Sequence, residues 1–352
     1  MAEPTIAAGY PKAFLDFAVS RGADRQMLIE RSHIRPEDIQ DQDNRVLFTH
    51  YMALMNAGVE LCNEPALALL FGEAVRLQDI SIVGLIGEAA ETTEETRRQL
   101  NRYARLMLDE NDDRISERLE LVRDRGGVWL KTTGSLYDDN PLLTESAFAR
   151  SICGGRELFG ATDNFANWPY PKAIHFTHEE PSYRAEYDRV FGVPLVFGSH
   201  MNALLMDEEF WSIRLPRANR YVFGVLSAHA EALLNELESS KSTRGRVESL
   251  VMPILHTGEA SVDVIAGKLG FSRQTLFRRL RAEGTTFEKV LDGLRYRLAL
   301  HYLSGRKVSV NEIGYLVGFS DPAAFSRAFK RWTGSSPRML RVSKDNSQEG
   351  ME

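Results

Sequence analysis

Apolar residues recur at helical spacing along most of this chain, and near its end two segments repeat one arrangement. In residues 261–284, "SVDVIAGKLGFSRQTLFRRLRAEG", Val264, Ile265 and Leu269 form an inward face. Gly270 ends that helix, and Leu276 and Leu280 open a second stripe at i and i+4. Ser261 and Ser272 stand where a hydroxyl caps the first free amides of each helix, and glycine takes up the left-handed conformation that closes a helix at little cost. The other face of the second helix carries Arg273, Gln274, Phe277, Arg278 and Arg281. The same order returns 48 residues after Gly270, at Gly318. There Ser309 and Glu312 have the spacing of a capping box, Ile313 and Val317 face inward, and Gly318 breaks the helix. Ser320 is placed to cap the next helix, in which Phe325 and Phe329 replace the two leucines. A repeat of this kind predicts two helix-turn-helix units. Between them Phe287, Val290, Leu291, Leu294, Leu298 and Tyr302 predict a joining helix over residues 286–304, about 28 Å long at roughly 1.5 Å per residue. Ahead of both units, residues 246–256 predict a short helix that Pro253 bends or ends.

The earlier part is less regular. Helical spacing covers residues 11–21, 48–61, 66–75, 93–108 and 144–159. Strand signals are fewer: "RISERLELV" and "VWLKTTG" flank "RDRGG" as a hairpin, and "AIHFTH" and "PLVFG" predict short strands. The mixture predicts an α+β domain with its own core. Phe223, Leu226, Ala230, Leu233 and Leu237 then follow at heptad spacing. That seam serves either to pair two chains into a homodimer or to pack on the preceding domain. The polar, aperiodic "ESSKSTRG", residues 238–245, predicts a linker, which divides the chain into 1–237, 238–245 and 246–352.

Charge separates the same two parts. The chain has 352 residues and a net charge of −6, yet residues 244–345 hold 18 Lys and Arg against 9 Asp and Glu, which leaves +9 there and −15 on the rest. A basic module in an acidic chain points to nucleic acid as the partner of that module alone. There is no apolar run of 18 residues to span a membrane and no basic segment leading into an apolar one at the amino terminus, so a cytoplasmic location is expected. Cys62 and Cys153 are the only cysteines, too few for a disulfide framework or a cysteine zinc site. The sequence lacks G-x-G-x-x-G, a P-loop, H-E-x-x-H and G-x-S-x-G, so neither catalytic residues nor a cofactor or metal is implied. His175 and His178 would point to opposite faces of a strand, and the acid pairs Asp112–Asp113 and Asp138–Asp139 lie in turn-like sequence as solvated loop residues.

Residues 246–341 resemble the DNA-binding domain of the AraC/XylS family of transcription regulators. The second unit, "IGYLVGFSDPAAFSRAFKRWTGSSPRMLR", keeps the family order at Gly318, Phe319, Phe325, Phe329, Gly334 and Pro337. The resemblance implies base contacts from Gln274, Phe277 and Arg278 in the first unit, and from Pro322, Ser326 and Arg327, with Ala323 beside them, in the second. Gln pairs with adenine, Arg with guanine and Phe meets a thymine methyl, whereas Pro322 and Ala323 have little to offer a base edge. The first unit is therefore expected to carry most of the specificity, with Lys330 and its neighbours holding phosphates. Residues 21–206 resemble the arabinose-binding-like effector domain of one branch of that family, through Tyr187, Phe191, Pro194, Phe197, Gly198 and Asn202 in "FTHEEPSYRAEYDRVFGVPLVFGSHMNALLMD". Members of the branch respond to amino acids, fatty acids or related metabolites, so the resemblance implies a small effector without implying arabinose.

The expectation is an α+β N-terminal effector domain followed by an all-α DNA-binding domain with two helix-turn-helix units. Its partners would be promoter double-stranded DNA, a small-molecule effector and RNA polymerase, and its effect on transcription would be activation. The alternatives are a metabolic enzyme fused to a DNA-binding module and an architectural DNA-binding protein without an effector.

Overall fold

The computed structural model describes residues 3–110, 115, 117–124, 126–160, 170–305 and 308–346. Contacts divide the chain into two compact units, Met1–Leu234 and Asn235–Glu352.

The first unit is α+β and, among the described residues, contains two sheets. β1 (Thr5–Ala7), β2 (Arg45–Leu47) and β3 (Leu108–Asp109) form an antiparallel sheet in the order β2-β1-β3. Helices Gly9–Ser20 and Phe48–Cys62 cover it, Leu67–Ala74 packs on those two helices, and Phe14, Tyr51 and Phe71 fill the space between the three. β4 (Leu119–Asp124), β5 (Gly127–Thr132), β6 (Ala173–His175), β7 (Leu195–Val196) and β8 (Ala203–Met206) form the second sheet, in the order β4-β5-β8-β6-β7. Only β6 and β7 pair in parallel. The helix Pro141–Gly160 lies between the cores, packed on Leu67–Ala74 and giving Phe148 and Ile152 to the core under the second sheet.

The expected hairpin is present as β4 and β5, closed by Asp124, whose carboxylate accepts from the Gly126 amide at 2.7 Å and from Trp129 Nε1 at 2.7 Å. Arg125 of that turn, and the acid pair Asp112–Asp113, lie outside the described residues. The single helix expected over residues 93–108 is broken: Tyr103 separates Thr93–Arg102 from the short Ala104–Met107, and the chain then enters β3. Tyr103 is buried, with its hydroxyl 3.3 Å from the Ser227 carbonyl. Asp138 is more than a solvated loop residue, because its Oδ1 accepts from Asn202 Nδ2 at 2.8 Å.

The heptad seam faces inward. Phe223, Leu226, Ala230 and Leu233, on the helix Arg220–Lys241, pack with Leu234 against Ile82, Val83, Ile86 and Tyr103 of the same unit. Ala230 is fully buried there, so this part of the stripe takes the second of its two expected uses and packs within the chain, while Leu237, the last residue of the seam, is half-buried outside that cluster. Residues 238–245 are not an open linker either. Glu238–Lys241 complete that helix, and after one bend Ser242 caps the next, Thr243–Val251, by accepting from the Gly245 amide at 2.9 Å.

Among the described residues the second unit is all-helical. Thr243–Val251 passes into a 3₁₀ turn at Met252–Thr257, where Pro253 cannot continue the helix. Val262–Lys268 and Arg273–Ala282 make the first helix-turn-helix, Phe287–Gly305 joins the units, and Val310–Leu316 and Pro322–Thr333 make the second. Each unit has its own core, one centred on Ile265, Leu276, Leu280 and Leu294, the other on Ile313, Val317, Phe325 and Phe329. Ser261, Ser272 and Ser309 all cap as their positions require, and Ser309 with Glu312 forms the complete capping box.

Candidate nucleic-acid interface and ligand cavity

In the first recognition helix, Arg273–Ala282, burial of Leu276 and Leu280 turns the opposite face outward. Gln274, Arg278 and Arg281 are exposed there and have no side-chain partner among the described residues. Arg273 is 3.3 Å from Asp263 and lies over the half-buried Phe277 ring at 5.5 Å. Arg279 is drawn instead to the turn, over Phe271 at 4.4 Å. Three polar heads are therefore free to meet a groove, and two further arginines are anchored at its margin.

The second recognition helix starts one residue later than the repeat of serine predicts. Its cap is Asp321, not Ser320: the Asp321 carboxylate accepts from the Ala323 and Ala324 amides at 3.0 and 3.1 Å. Matching the buried pairs Leu276–Leu280 and Phe325–Phe329 then aligns Gln274 with Ala323, Phe277 with Ser326 and Arg278 with Arg327. Pro322 falls out of register, half-buried in the first turn where its missing amide costs no hydrogen bond. Ala323, Arg327 and Lys330 are exposed and Ser326 is half-buried, with Arg327 3.9 Å from Asp321. In "GFSD" either polar residue suits a cap, so the sequence alone leaves the extra turn residue open.

The two units are locked together through the joining helix. Its Arg295 donates to the Val317 and Gly318 carbonyls at 3.2 and 3.0 Å and covers the Phe319 ring at 4.5 Å. Its Asp292 accepts from Arg331 at 2.8 Å and from Trp332 Nε1 at 3.1 Å. Gly318 has φ +80°, and a Cβ there would fall 2.0 Å from the Leu255 carbonyl oxygen of the first unit. This close approach is open to glycine alone.

The first unit holds a cavity of about 300 Å³, bounded by the Pro141–Gly160 helix, β5, β8 and the helices around Gly84 and Leu100. That is the lower end of the size range of small-molecule sites. Leu130, Phe148, Leu204 and Trp211 give it an apolar wall, and five arginines are among the residues that line it: Arg76, Arg97, Arg118, Arg150 and Arg217.

Beside the cavity, Glu145 is buried under Tyr183 and Tyr187, whose hydroxyls donate to its Oε1 at 2.7 and 2.6 Å. Burial outweighs those two bonds and pushes the carboxyl up to about 7. Tyr187 belongs to a cluster with Phe176, Phe191 and Phe197, so the aromatic residues that carried the resemblance in this domain form one core. Asn202 is the polar pin of the same region: its Oδ1 accepts from the Thr177 amide at 2.9 Å, and its carbonyl accepts from the Thr132 amide at 3.0 Å. The two histidines do not converge. His175 packs on Trp129 at 4.4 Å, while His178 lies among Phe176, Tyr187 and Phe197 with Nε2 3.3 Å from the Tyr187 hydroxyl.

Two families of known proteins match the chain. Residues 22–215 match the family described as the arabinose-binding domain of AraC transcription regulators, and residues 265–343 match a helix-turn-helix domain family. The chain is 29% identical to the ornithine utilization regulator of Pseudomonas aeruginosa, over 94% of this chain and 95% of that one. It is 27% identical to the transcriptional regulator VirS of Mycobacterium tuberculosis, over 49% of this chain and 50% of that one. The crystal structure of the transcriptional regulator CdpR from Pseudomonas aeruginosa aligns over 90% of this chain and 95% of its own, at 22% identity and a TM-score of 0.41.

Proposed function

This chain belongs to the AraC family and is a DNA-binding transcription regulator with an effector-binding N-terminal domain, and from that premise we propose how its two units divide the work. The first recognition helix reads sequence, through Gln274 and Arg278, with Phe277 against a thymine methyl and Arg273 and Arg281 on the flanking phosphates. The second recognition helix chiefly positions the protein, through Arg327 and Lys330 on phosphates, with Ala323 and Ser326 close to the bases and Pro322 in the first turn. What supports this reading is the contrast between the free Gln274 and Arg278 heads and the alanine that takes the place of Gln274 in the second unit. Gln274→Ala and Arg278→Ala should each relax base preference by about 1–3 kcal/mol at one position. Lys330→Ala should instead weaken all sequences alike and flatten the dependence of affinity on salt by about one charge. Binding titrations against a preferred and a scrambled duplex at two salt concentrations measure both effects, and equal loss of preference from the two sets would defeat the division.

The joining helix has 19 residues, about 28 Å at roughly 1.5 Å per residue, against a groove repeat of about 34 Å, so we propose that DNA bends to engage both units. The effector acts through differential affinity for two arrangements of the protein, in the cytoplasm, with activation through RNA polymerase as the output. Amino acids are the first effectors to test, given the relative named for ornithine utilization. For self-association, the face of the Arg220–Lys241 helix opposite the buried stripe carries Tyr221 at 81% exposure and the exposed Val225. If that face joins two copies, Tyr221→Lys should convert a sedimenting dimer to monomer, while the wild-type protein sedimenting as a monomer at micromolar concentration would refute it.

A further inference from the structure

Four of the five arginines at the cavity are neutralised by carboxylates of the same unit. Arg76 pairs with Glu157, Arg97 with Glu94 and Glu117, Arg118 with Glu110, and Arg217 with Glu88. Arg150 differs. It is 6% exposed, it lines the cavity, and it has no carboxylate partner among the described residues. Its Nε donates to the Val75 carbonyl at 3.1 Å and its guanidinium lies over the Phe71 and Tyr10 rings at 4.9 and 5.5 Å. Its Nη2 is closed to solvent and has no hydrogen-bond partner among the described residues. The hydroxyl of Tyr51 is likewise buried and unpartnered. Burial raises Tyr10 and Tyr51 above the ordinary phenol range, and on both the positive charge of Arg150 is the largest opposing influence.

A buried charge is normally paired, and a buried guanidinium with an unused N–H is costly to keep. The pairing of every other arginine around the same space leaves one positive charge for a guest to balance. A guanidinium fork matches a carboxylate better than any uncharged group. The space of about 300 Å³ is on the order of ten waters at about 30 Å³ each, and its wall is apolar at Leu130, Phe148, Leu204 and Trp211. We propose that Arg150 receives the carboxylate of the effector, a small organic acid whose body of about ten non-hydrogen atoms lies against those apolar side chains. This rests on the regulator reading above and names the chemical class of its effector.

The test uses the full chain and three acids, hexanoate, phenylacetate and L-ornithine, each paired with its primary amide and titrated by calorimetry. At least one acid should bind saturably. Its amide, and the same acid with Arg150→Met, should bind about ten- to a hundredfold more weakly, the range of a hydrogen-bonded charge pair. Arg150→Lys, which keeps the charge without the fork, should retain a preference for acid over amide at reduced affinity. Without ligand, Arg150→Met should melt no lower than wild type, because the group it removes is an uncompensated charge; a purely structural arginine would leave a clearly less stable protein. The proposal is overturned if none of the acids binds, if acid and amide bind alike, or if either Arg150 variant binds the acid as wild type does. Selective binding of duplex DNA is measured in parallel. Its loss would defeat the regulator reading, whereas selective DNA binding in a protein indifferent to all three acids would defeat only the role of Arg150.

Discussion

Gly318→Ala should destabilise the second helix-turn-helix by at least about 3 kcal/mol, whereas Gly270→Ala at the matching turn should cost only about 1–2 kcal/mol. Both glycines have positive φ, +80° at Gly318 and +67° at Gly270, so any side chain is strained at either. They differ in surroundings. Nothing lies within 4 Å of a Cβ built on Gly270, but at Gly318 the Leu255 carbonyl oxygen is 2.0 Å away, and Arg295 is bonded to the Gly318 carbonyl. Relief at Gly318 therefore requires the second unit to move off the first. Hydrogen exchange on the full-length protein measures this directly. Amides of residues 310–333 should exchange about a hundredfold faster in Gly318→Ala, and only about tenfold faster around residues 262–282 in Gly270→Ala, since about 1.4 kcal/mol is a factor of ten. Equal effects would show that the contact with Leu255 contributes nothing.

The second large effect is a pH dependence in the N-terminal unit. Burial holds a proton on Glu145, moving it from its ordinary 4.5 to about 7. Between these values the folded state keeps a proton that the unfolded chain has already released, so stability falls as pH rises through that window and is level above it. At about 1.4 kcal/mol per unit, the loss from pH 4.5 to 7 is on the order of 3 kcal/mol. Glu145→Gln keeps an oxygen to accept from Tyr183 or Tyr187 and has no proton to release. The fall in melting temperature between pH 5 and pH 7.5 should accordingly be several degrees smaller in the variant than in wild type. An identical fall in both proteins would mean that Glu145 is ionised in the folded state across the whole range.

Much of the DNA-binding unit could be read from the sequence because its signals are local. Ser272 and Ser309 cap helices three or fewer residues away, Gly270 and Gly318 end helices within one turn, and Leu276–Leu280 and Phe325–Phe329 are i, i+4 pairs. The displaced cap at Asp321 escaped because Ser320 and Asp321 are chemically equivalent caps and only the packing of Phe325 and Phe329 chooses between them. The N-terminal unit was harder for the opposite reason. β1, β2 and β3 are strands of two or three residues that make sense only when paired across 40 to 100 residues, and β8, "ALLM", is apolar throughout, without alternation. The inward turn of the Phe223–Leu233 stripe was equally hidden, since a seam for a second chain and a seam for helix Ile82–Ala89 have the same spacing. Arg150 carries no motif at all. It stands out only when its neighbours are seen to hold carboxylates and, among the described residues, it does not.

In the proposed division of work the first recognition helix reads DNA sequence through Gln274 and Arg278. Selection of bound duplexes from a random pool by the full-length protein, at stated salt, tests it most directly when run side by side with the Gln274→Ala, Arg278→Ala double variant. The wild type should enrich a motif with a strongly specified half-element about one helical turn from a weaker one, and the double variant should lose the strong half-element alone. The same motif recovered at undiminished strength by the double variant would contradict that division.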